Sequence, residues 1–231
     1  MTELLRRGLA ELGLDPDRAE ALARFAALVL KKNEVMNLTA ITAPDEFARL
    51  HLLDSAALLR FADLSGRRVV DVGTGAGFPG VPLRLLCEGL DLTLLDSLGK
   101  RVDFLRESCA ALGLADVACV HARAEDFAAS QREGFDVAVS RAVAALPVLC
   151  ELCLPLVRVG GLFLAMKSVG SDEELAGAAH AIRALGGRLA AVEDYTIPTC
   201  AVPRRLIVIE KAAPTPPAYP RPFAKIKKSP L

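Results

Sequence analysis

The residues at 69–82, Val-Val-Asp-Val-Gly-Thr-Gly-Ala-Gly-Phe-Pro-Gly-Val-Pro, set one carboxylate, Asp71, directly before the glycines Gly73, Gly75, Gly77 and Gly80. Glycines at this density let the backbone turn sharply and let a ligand approach without meeting a Cβ. Val69, Val70 and Val72 suit a buried parallel strand, and Pro79 and Pro82 suit the first turn of a helix. Strand, glycine loop and helix in that order predict a nucleotide-type crevice, with helix N–H groups aimed into it. Gly75-x-Gly77-x-x-Gly80 with Asp96 about 20 residues on also fits a dinucleotide fingerprint, in which the acid binds ribose. Asp71 favours a different ligand. At the carboxyl end of the first strand it would repel a diphosphate, whereas S-adenosylmethionine carries a sulfonium, an amino group and no phosphate. Asp71, Gly75 and Asp96 are therefore expected to bind that methyl donor.

Other chemistry is thinly represented. Cys150-Glu-Leu-Cys153 is formally a CxxC, but no second pair accompanies it and leucines surround it. Buried thiols are expected there, and no metal site. His51, Asp54 and Ser55 share one helix face; with Asn37, the His/Asp pair is read as organising the junction between the N-terminal helices and the sheet. Lys100-Arg101 opens a helix, where cations oppose the helix dipole, so a substrate phosphate or a nearby carboxylate should compensate them. Lys167, Arg204, Arg205, Arg221, Lys225, Lys227 and Lys228 are expected to form a basic rim that could hold phosphates, with a solvated charged tail as the alternative for the last of them.

The elements that must position these groups fall into three stretches. Residues 1–65 read as a helical extension: Asp15-Pro16 opens one helix, and Thr42-Ala-Pro-Asp45 caps another after a break at Asn37. Residues 66–213 alternate strands (68–72, 92–95, 117–121, 135–140, 162–167) with helices, one closed by Gly113 and one opened by a Ser171-x-x-Glu174 capping box. Two further strand-like runs, 188–195 and 206–211, have no helix between them and should pair antiparallel. The expected fold is α/β: a Rossmann-like class I methyltransferase with a mainly parallel sheet that ends in an antiparallel hairpin. Residues 214–231 read as an extended basic tail.

The 231 residues are 52% hydrophobic, enough for one large core plus an appendage, and 28 basic against 28 acidic residues exclude a globally basic nucleic-acid binder. No apolar run is long enough to span a bilayer, and Met-Thr-Glu-Leu-Leu-Arg-Arg does not resemble a signal peptide. A cytoplasmic monomer is the expectation.

Asn37-Leu-Thr-Ala-Ile, His51-x-x-Asp54-Ser55, the glycine run from Asp71 to Leu83, Leu94-Leu-Asp-Ser-Leu-Gly-Lys-Arg101, Ser140-Arg-Ala-Val and Tyr219-Pro-Arg221 occur in that order. Together they resemble the glucose-inhibited division protein B family of small-subunit (16S) ribosomal RNA guanine-N7 methyltransferases, over nearly the whole chain. The resemblance implies that Gly73 and Phe78 line the methionine and adenosine pocket, although Phe78 also reads as a core aromatic. It places Ala124-Glu125 against the adenine, and makes Arg141 a cofactor-site residue that also meets RNA. A structural salt bridge from Arg141 to Asp71 or Asp96 is the competing reading. It implies small-subunit RNA, free or within the assembling 30S subunit, as partner. Guanine N7 carries an in-plane lone pair and no proton, so no catalytic residue is expected. The same cofactor acting on a small molecule or protein, and a nicotinamide oxidoreductase or nucleotide-binding module, are the alternatives.

Overall fold

The computed structural model describes residues 1–231. Helices α1 (Thr2–Glu11) and α2 (Ala19–Met36) lead to a helical run made of α3 (Pro44–Phe47), a π-helical turn (Ala48–Leu53), α4 (Asp54–Ala56) and a 3-10 turn (Ala57–Arg60). Then come β1 (Arg68–Val72), α5 (Gly80–Leu86), β2 (Asp91–Asp96), α6 (Gly99–Ala111), β3 (Ala118–His121), α7 (Ala124–Ser130) and β4 (Phe135–Arg141). The chain continues through α8 (Leu146–Cys153), β5 (Val157–Lys167), α9 (Asp172–Ala184), β6 (Gly187–Thr196), β7 (Pro203–Lys211) and α10 (Phe223–Lys228). The seven strands form one sheet in the order β3-β2-β1-β4-β5-β7-β6, parallel except for β7, which pairs antiparallel with both β5 and β6. The expected hairpin is therefore present.

Two apolar layers sandwich the sheet. A cluster of 37 buried residues joins the N-terminal helices, α5 and α6 to one face, and a cluster of 24 joins α7 to α10 to the other. The N-terminal extension thus shares its core with the sheet. Strand residues alternate strictly between the layers: Val137 and Val139 face the N-terminal helices while Ala138 faces α8, and Leu164 and Met166 face the first layer while Phe163 and Ala165 face the second. This period of two carries on to the strand ends. Arg141 continues the Val137–Val139 face, so it meets the N-terminal helices. Lys167 continues the Phe163–Ala165 face, so it meets α9.

Several local expectations change in the folded chain. Asp15 caps the 3-10 turn Pro16–Arg18 by accepting from Asp17 N at 2.9 Å, as its position suggests. Thr42 makes no capping bond; α3 begins at Pro44 after Ala43, without a side-chain cap. The capping box at Ser171 does not form either, because Glu174 turns away to Lys167 and Leu146 N, leaving the buried Ser171 hydroxyl without a partner. Strand β5 starts at Val157, five residues before its apolar run, because a bulge at Gly160-Gly161 interrupts the alternation while pairing to β4 continues. Cys150 and Cys153 are free, buried thiols on α8, and burial raises both thiol pKa values.

The C-terminal segment is docked, not simply extended. Arg132 donates to the carbonyls of Thr215, Pro216 and Tyr219, and Ile226 of α10 is buried in the second layer. Glu151, fully buried on α8, accepts from Arg221 N at 2.9 Å, Nε at 2.8 Å and a terminal guanidinium nitrogen at 2.6 Å. Apolar anchoring and this clamp outweigh the proline-rich composition. Removing one partner of a buried ion pair strands the other. Glu151→Ala is expected to cost about 3 kcal/mol or more, to lower Tm by roughly 6–12 °C, and to make Lys225 and Lys227 early tryptic sites. Denaturant titration and timed proteolysis check both.

Candidate functional site

The parallel strand order reverses between β1 and β4, and ligands of such sheets bind outside the carboxyl ends of the strands at that point. A cavity of about 440 Å³ opens there, with Gly73, Gly75, Phe78, Asp96, Arg101 and Arg141 on its walls. A smaller hollow of about 140 Å³, reached past Gly73, Asp96 and Val143, is lined by Arg123, Ala124, Glu125 and Phe223. The structure thus brings Gly73, Gly75, Phe78, Asp96, Ala124, Glu125 and Arg141 to one continuous crevice.

Hydrogen bonding in the glycine loop decides what that crevice can hold. Gly73 N and Thr74 N donate to Leu95 O, Gly77 N and Phe78 N to Thr74 O, and Val81 N to Gly77 O. Gly75 N donates to Asp96 Oδ2 and Gly80 N to Asp71 Oδ2. Only Ala76 N, from residue 73 to 81, lacks an acceptor among the residues that carry an N–H. The expected array of N–H groups aimed into the crevice is absent because the tight loop folds its donors back on itself. A diphosphate finds neither a cradle of donors nor a favourable field, since two carboxylates lie behind the loop.

Those carboxylates have different duties. Asp71 is fully buried; its Oδ2 accepts from Thr74 Oγ1 at 2.7 Å and Gly80 N at 2.8 Å. It is not on the cavity wall, so its direct contact is with the loop rather than with a ligand, a correction forced by Gly80 packing over it. A Cβ at Gly80 would lie 2.8 Å from Asp71 Oδ2. The other oxygen, Oδ1, is buried without a partner. Burial pushes the Asp71 pKa up to about 6, against the opposing pull of the Thr74 and Gly80 hydrogen bonds. Asp96 does line the cavity. Its Oδ1 accepts from Leu98 N and its Oδ2 from Gly75 N, both at 2.9 Å, so it serves at once as a turn cap and as a wall with remaining lone pairs. At Gly75, with φ +61°, a Cβ would meet only Gly73 O at 4.0 Å, so its missing side chain leaves open space on the ligand side.

Arg141 pairs with neither Asp71 nor Asp96. Its guanidinium donates to Leu50 O at 3.0 Å, Asp54 Oδ2 at 3.2 Å and His51 Nδ1 at 3.0 Å, and lies over the Phe78 ring. Arginine only donates, so His51 Nδ1 must accept and the imidazole proton sits on Nε2, which donates to Thr39 Oγ1 at 2.9 Å. Burial, then the Arg141 and Arg204 charges, lower the His51 pKa to about 3. Phe78 stacks on His51 at 4.8 Å and packs against Phe25 and Phe47, so it is core aromatic and cavity wall together. His51 and Asp54 do organise the junction. Asn37, exposed in the left-handed region with φ 48°, does not; Asn33 takes that part by bonding both main-chain groups of Thr39. Neither Asn33 nor Thr39 stood out in the sequence, since their spacing has meaning only once the loop folds over His51.

The expected basic rim is dispersed. Arg101 lies 3.6 Å from Asp96, Lys167 2.6 Å from Glu174, Arg204 3.7 Å from Asp54, and Arg205 2.6 Å from Asp194. Arg221 is held by Glu151. The strand period sends Lys167 and Arg205 to one face of the sheet and Arg141 and Arg204 to the other. Lys100, Arg123, Lys225, Lys227 and Lys228 remain exposed without a carboxylate partner, and Arg123, unremarked in the sequence, stands on the crevice wall.

A family model described as rRNA small subunit methyltransferase G (GidB) matches residues 18–207. The chain belongs to this family. Similar relatives include the ribosomal RNA small subunit methyltransferase G of Deinococcus radiodurans, 48% identical over 95% of this chain and 88% of its own length. That of Symbiobacterium thermophilum is also 48% identical, over 99% and 97%. Among solved structures, an O-methyltransferase from Bacillus cereus in complex with SAH superimposes with a TM-score of 0.58 at 19% identity, covering 80% of this chain and 90% of that one, which shows the methyltransferase fold.

The crevice of this methyltransferase therefore rests on a buried acid and a half-buried neutral histidine whose titrations oppose each other. Asp71 holds its proton up to about 6 in the folded chain against 3.8 unfolded, so its contribution to stability falls as pH rises through that window. His51 stays neutral down to about 3 against 6.5 unfolded, so its contribution falls as pH drops below 6.5. Asp71→Asn removes the first slope alone. Its stability relative to wild type is expected to improve by about 2 kcal/mol from pH 4 to pH 7, as read by urea unfolding across that range.

Proposed function

We propose that this chain transfers a methyl group from S-adenosylmethionine to N7 of a guanine in small-subunit (16S) ribosomal RNA, as a cytoplasmic monomer meeting that RNA free or within the assembling 30S subunit. No helix is long and apolar enough to cross a membrane. One observation carries the reading: at the switch point, a glycine loop has turned its N–H donors inward and set Asp71 and Asp96 behind it. Such a site suits a phosphate-free cation. The unpartnered Asp71 Oδ1 adds negative potential beneath the loop, and the space at Gly75 admits a ligand to the main chain.

When bound, the cofactor supplies an electrophilic methyl group on a sulfonium leaving group. Asp96 would accept from the ribose hydroxyls with its remaining lone pairs. Gly73 and Phe78 border the methionine and adenosine portions, and Ala124 and Glu125 the adenine end. No residue needs to remove a proton from N7, and His51, neutral to about pH 3, is not a proton carrier at neutral pH. What the chain contributes is alignment and a charged environment for the purine that becomes cationic. Arg141 fixes the wall between the N-terminal helices and the crevice.

RNA phosphates are met by exposed cations that no carboxylate occupies. Lys100 stands at the start of α6, and Lys225, Lys227 and Lys228 line α10, whose Phe223 touches the adenine end of the crevice.

The test is transfer of tritiated methyl to small-subunit RNA lacking the modification, with chemical mapping of N7-methylguanine; label on a ribose, a ring carbon or protein alone refutes the reading. In the same assay, the combined Lys225→Glu, Lys227→Glu and Lys228→Glu variant should lose roughly tenfold or more in kcat/KM. Its log–log salt slope should be shallower by about 2, with cofactor affinity by calorimetry unchanged.

A further inference from the structure

A second cavity, of about 480 Å³, lies at the carboxyl ends of β4 and β5 and shares His51, Arg141 and Ala142 with the cofactor crevice. Its size falls within the range of small-molecule clefts. The shared residues are a partition: one side faces the crevice, the other faces a chamber with Ile41, Leu50 and Met166 as apolar surface and Glu174 among its lining residues. We infer that this chamber receives the target guanine and that Glu174 distinguishes guanine from adenine there, an inference that rests on the RNA guanine-N7 reading.

The orientation follows from the chemistry. An N7 about to be alkylated must point at the partition, towards the crevice. The N1–H and N2–H₂ groups, on the opposite part of the purine, then point at the far wall. Guanine offers two donors on that edge, whereas adenine presents an acceptor at N1 and a donor at N6. A free carboxylate oxygen accepts from both guanine donors, whereas beside adenine it can accept only from N6–H₂ and faces the N1 lone pair.

Two carboxylates border the chamber, and only one is free. Asp54 is 2% exposed; its Oδ1 accepts from Tyr195 Oη at 3.0 Å and its Oδ2 from Arg141 at 3.2 Å, with Arg204 Nε 3.7 Å from Oδ1. Glu174 is anchored through Oε1 alone, by Lys167 Nζ at 2.6 Å and by Leu146 N, and its side chain is 28% exposed. Its Oε2 has no hydrogen-bond partner. Lys167 is itself fixed by Ala144 O at 2.7 Å, so the carboxylate is held in place before a base arrives. The sacrificed capping box now has a reason: Glu174 leaves its own helix terminus to stand in the chamber. As the methyl arrives and the purine becomes cationic, N1–H becomes a stronger donor, so the contact tightens in the transition state.

The test compares wild type and Glu174→Gln on small-subunit RNA with guanine at the mapped position and on the same RNA with inosine there, which lacks N2–H₂. Glutamine keeps an oxygen for Lys167 and Leu146 N but replaces the free oxygen with a donor. Wild type should favour guanine over inosine by roughly 10- to 100-fold in kcat/KM, the range for losing one charge-assisted hydrogen bond. Glu174→Gln should lose at least that much on guanine RNA, keep cofactor affinity by calorimetry within about twofold, and bring the guanine-to-inosine ratio close to one. Wild type treating the two RNAs alike overturns the proposal, as does an unchanged ratio in the variant whatever its overall loss. Wild type that methylates neither RNA overturns the RNA reading and this proposal with it.

Discussion

A single arginine that can only donate ties the two halves of this molecule. Arg141 ends β4 on the face of the sheet covered by the N-terminal helices, and its nitrogens reach Leu50 O, Asp54 and His51 together. Asp54 then accepts from Tyr195 on β6, while His51 passes a hydrogen bond to Thr39 and so to Asn33. With Asp54 and Arg141 buried as a pair, neither can be removed without stranding a charge. His51 is neutral chiefly because it is desolvated there, and a second cation next to Arg141 would also be repelled. One chain of polar contacts therefore fixes the helical extension to the sheet and forms the wall between the two cavities.

The glycine loop is organised by the same logic of satisfied donors. Its N–H groups are consumed by the Leu95 carbonyl of the neighbouring strand, by its own turn and by the two aspartates, so it is braced before any ligand arrives. Asp71 accepts the cost of burial to hold the loop, and its raised pKa reports that cost. Asp96 holds the loop as well, yet keeps a surface on the crevice. One acid is a strut and the other is both strut and ligand wall, a division that burial alone sets.

Much of the arrangement was legible from residue types in order. Strand β1, its glycine loop and the helix after it follow from local rules, as do the alternation of strands and helices and the final hairpin. Gly75 and Asp96 followed from the glycine run and the strand end, whereas Gly73, Phe78, Ala124, Glu125 and Arg141 were placed at the crevice through the family resemblance. The basic rim was not legible, because a list of cations carries no information about the carboxylates that fold against them. Lys167 and Arg221 looked available and are held by Glu174 and Glu151; Arg123 looked incidental and faces the crevice. The capping box failed for a related reason: a local hydrogen bond lost to a tertiary one with a buried lysine.

By itself, the sequence determined the fold class, the place of the crevice and the absence of a phosphate-friendly charge at its first strand, since these depend on periodicity, on glycine and on residues near each other in the chain. Tertiary structure alone decided which charged groups are free. The pairs that fasten the site and the C-terminal segment, Arg141 with Asp54 and Arg221 with Glu151, join elements far apart in sequence, and the direction of each side chain depends on strand register and on which face is covered. Coulombic partners are chosen in space, not along the chain.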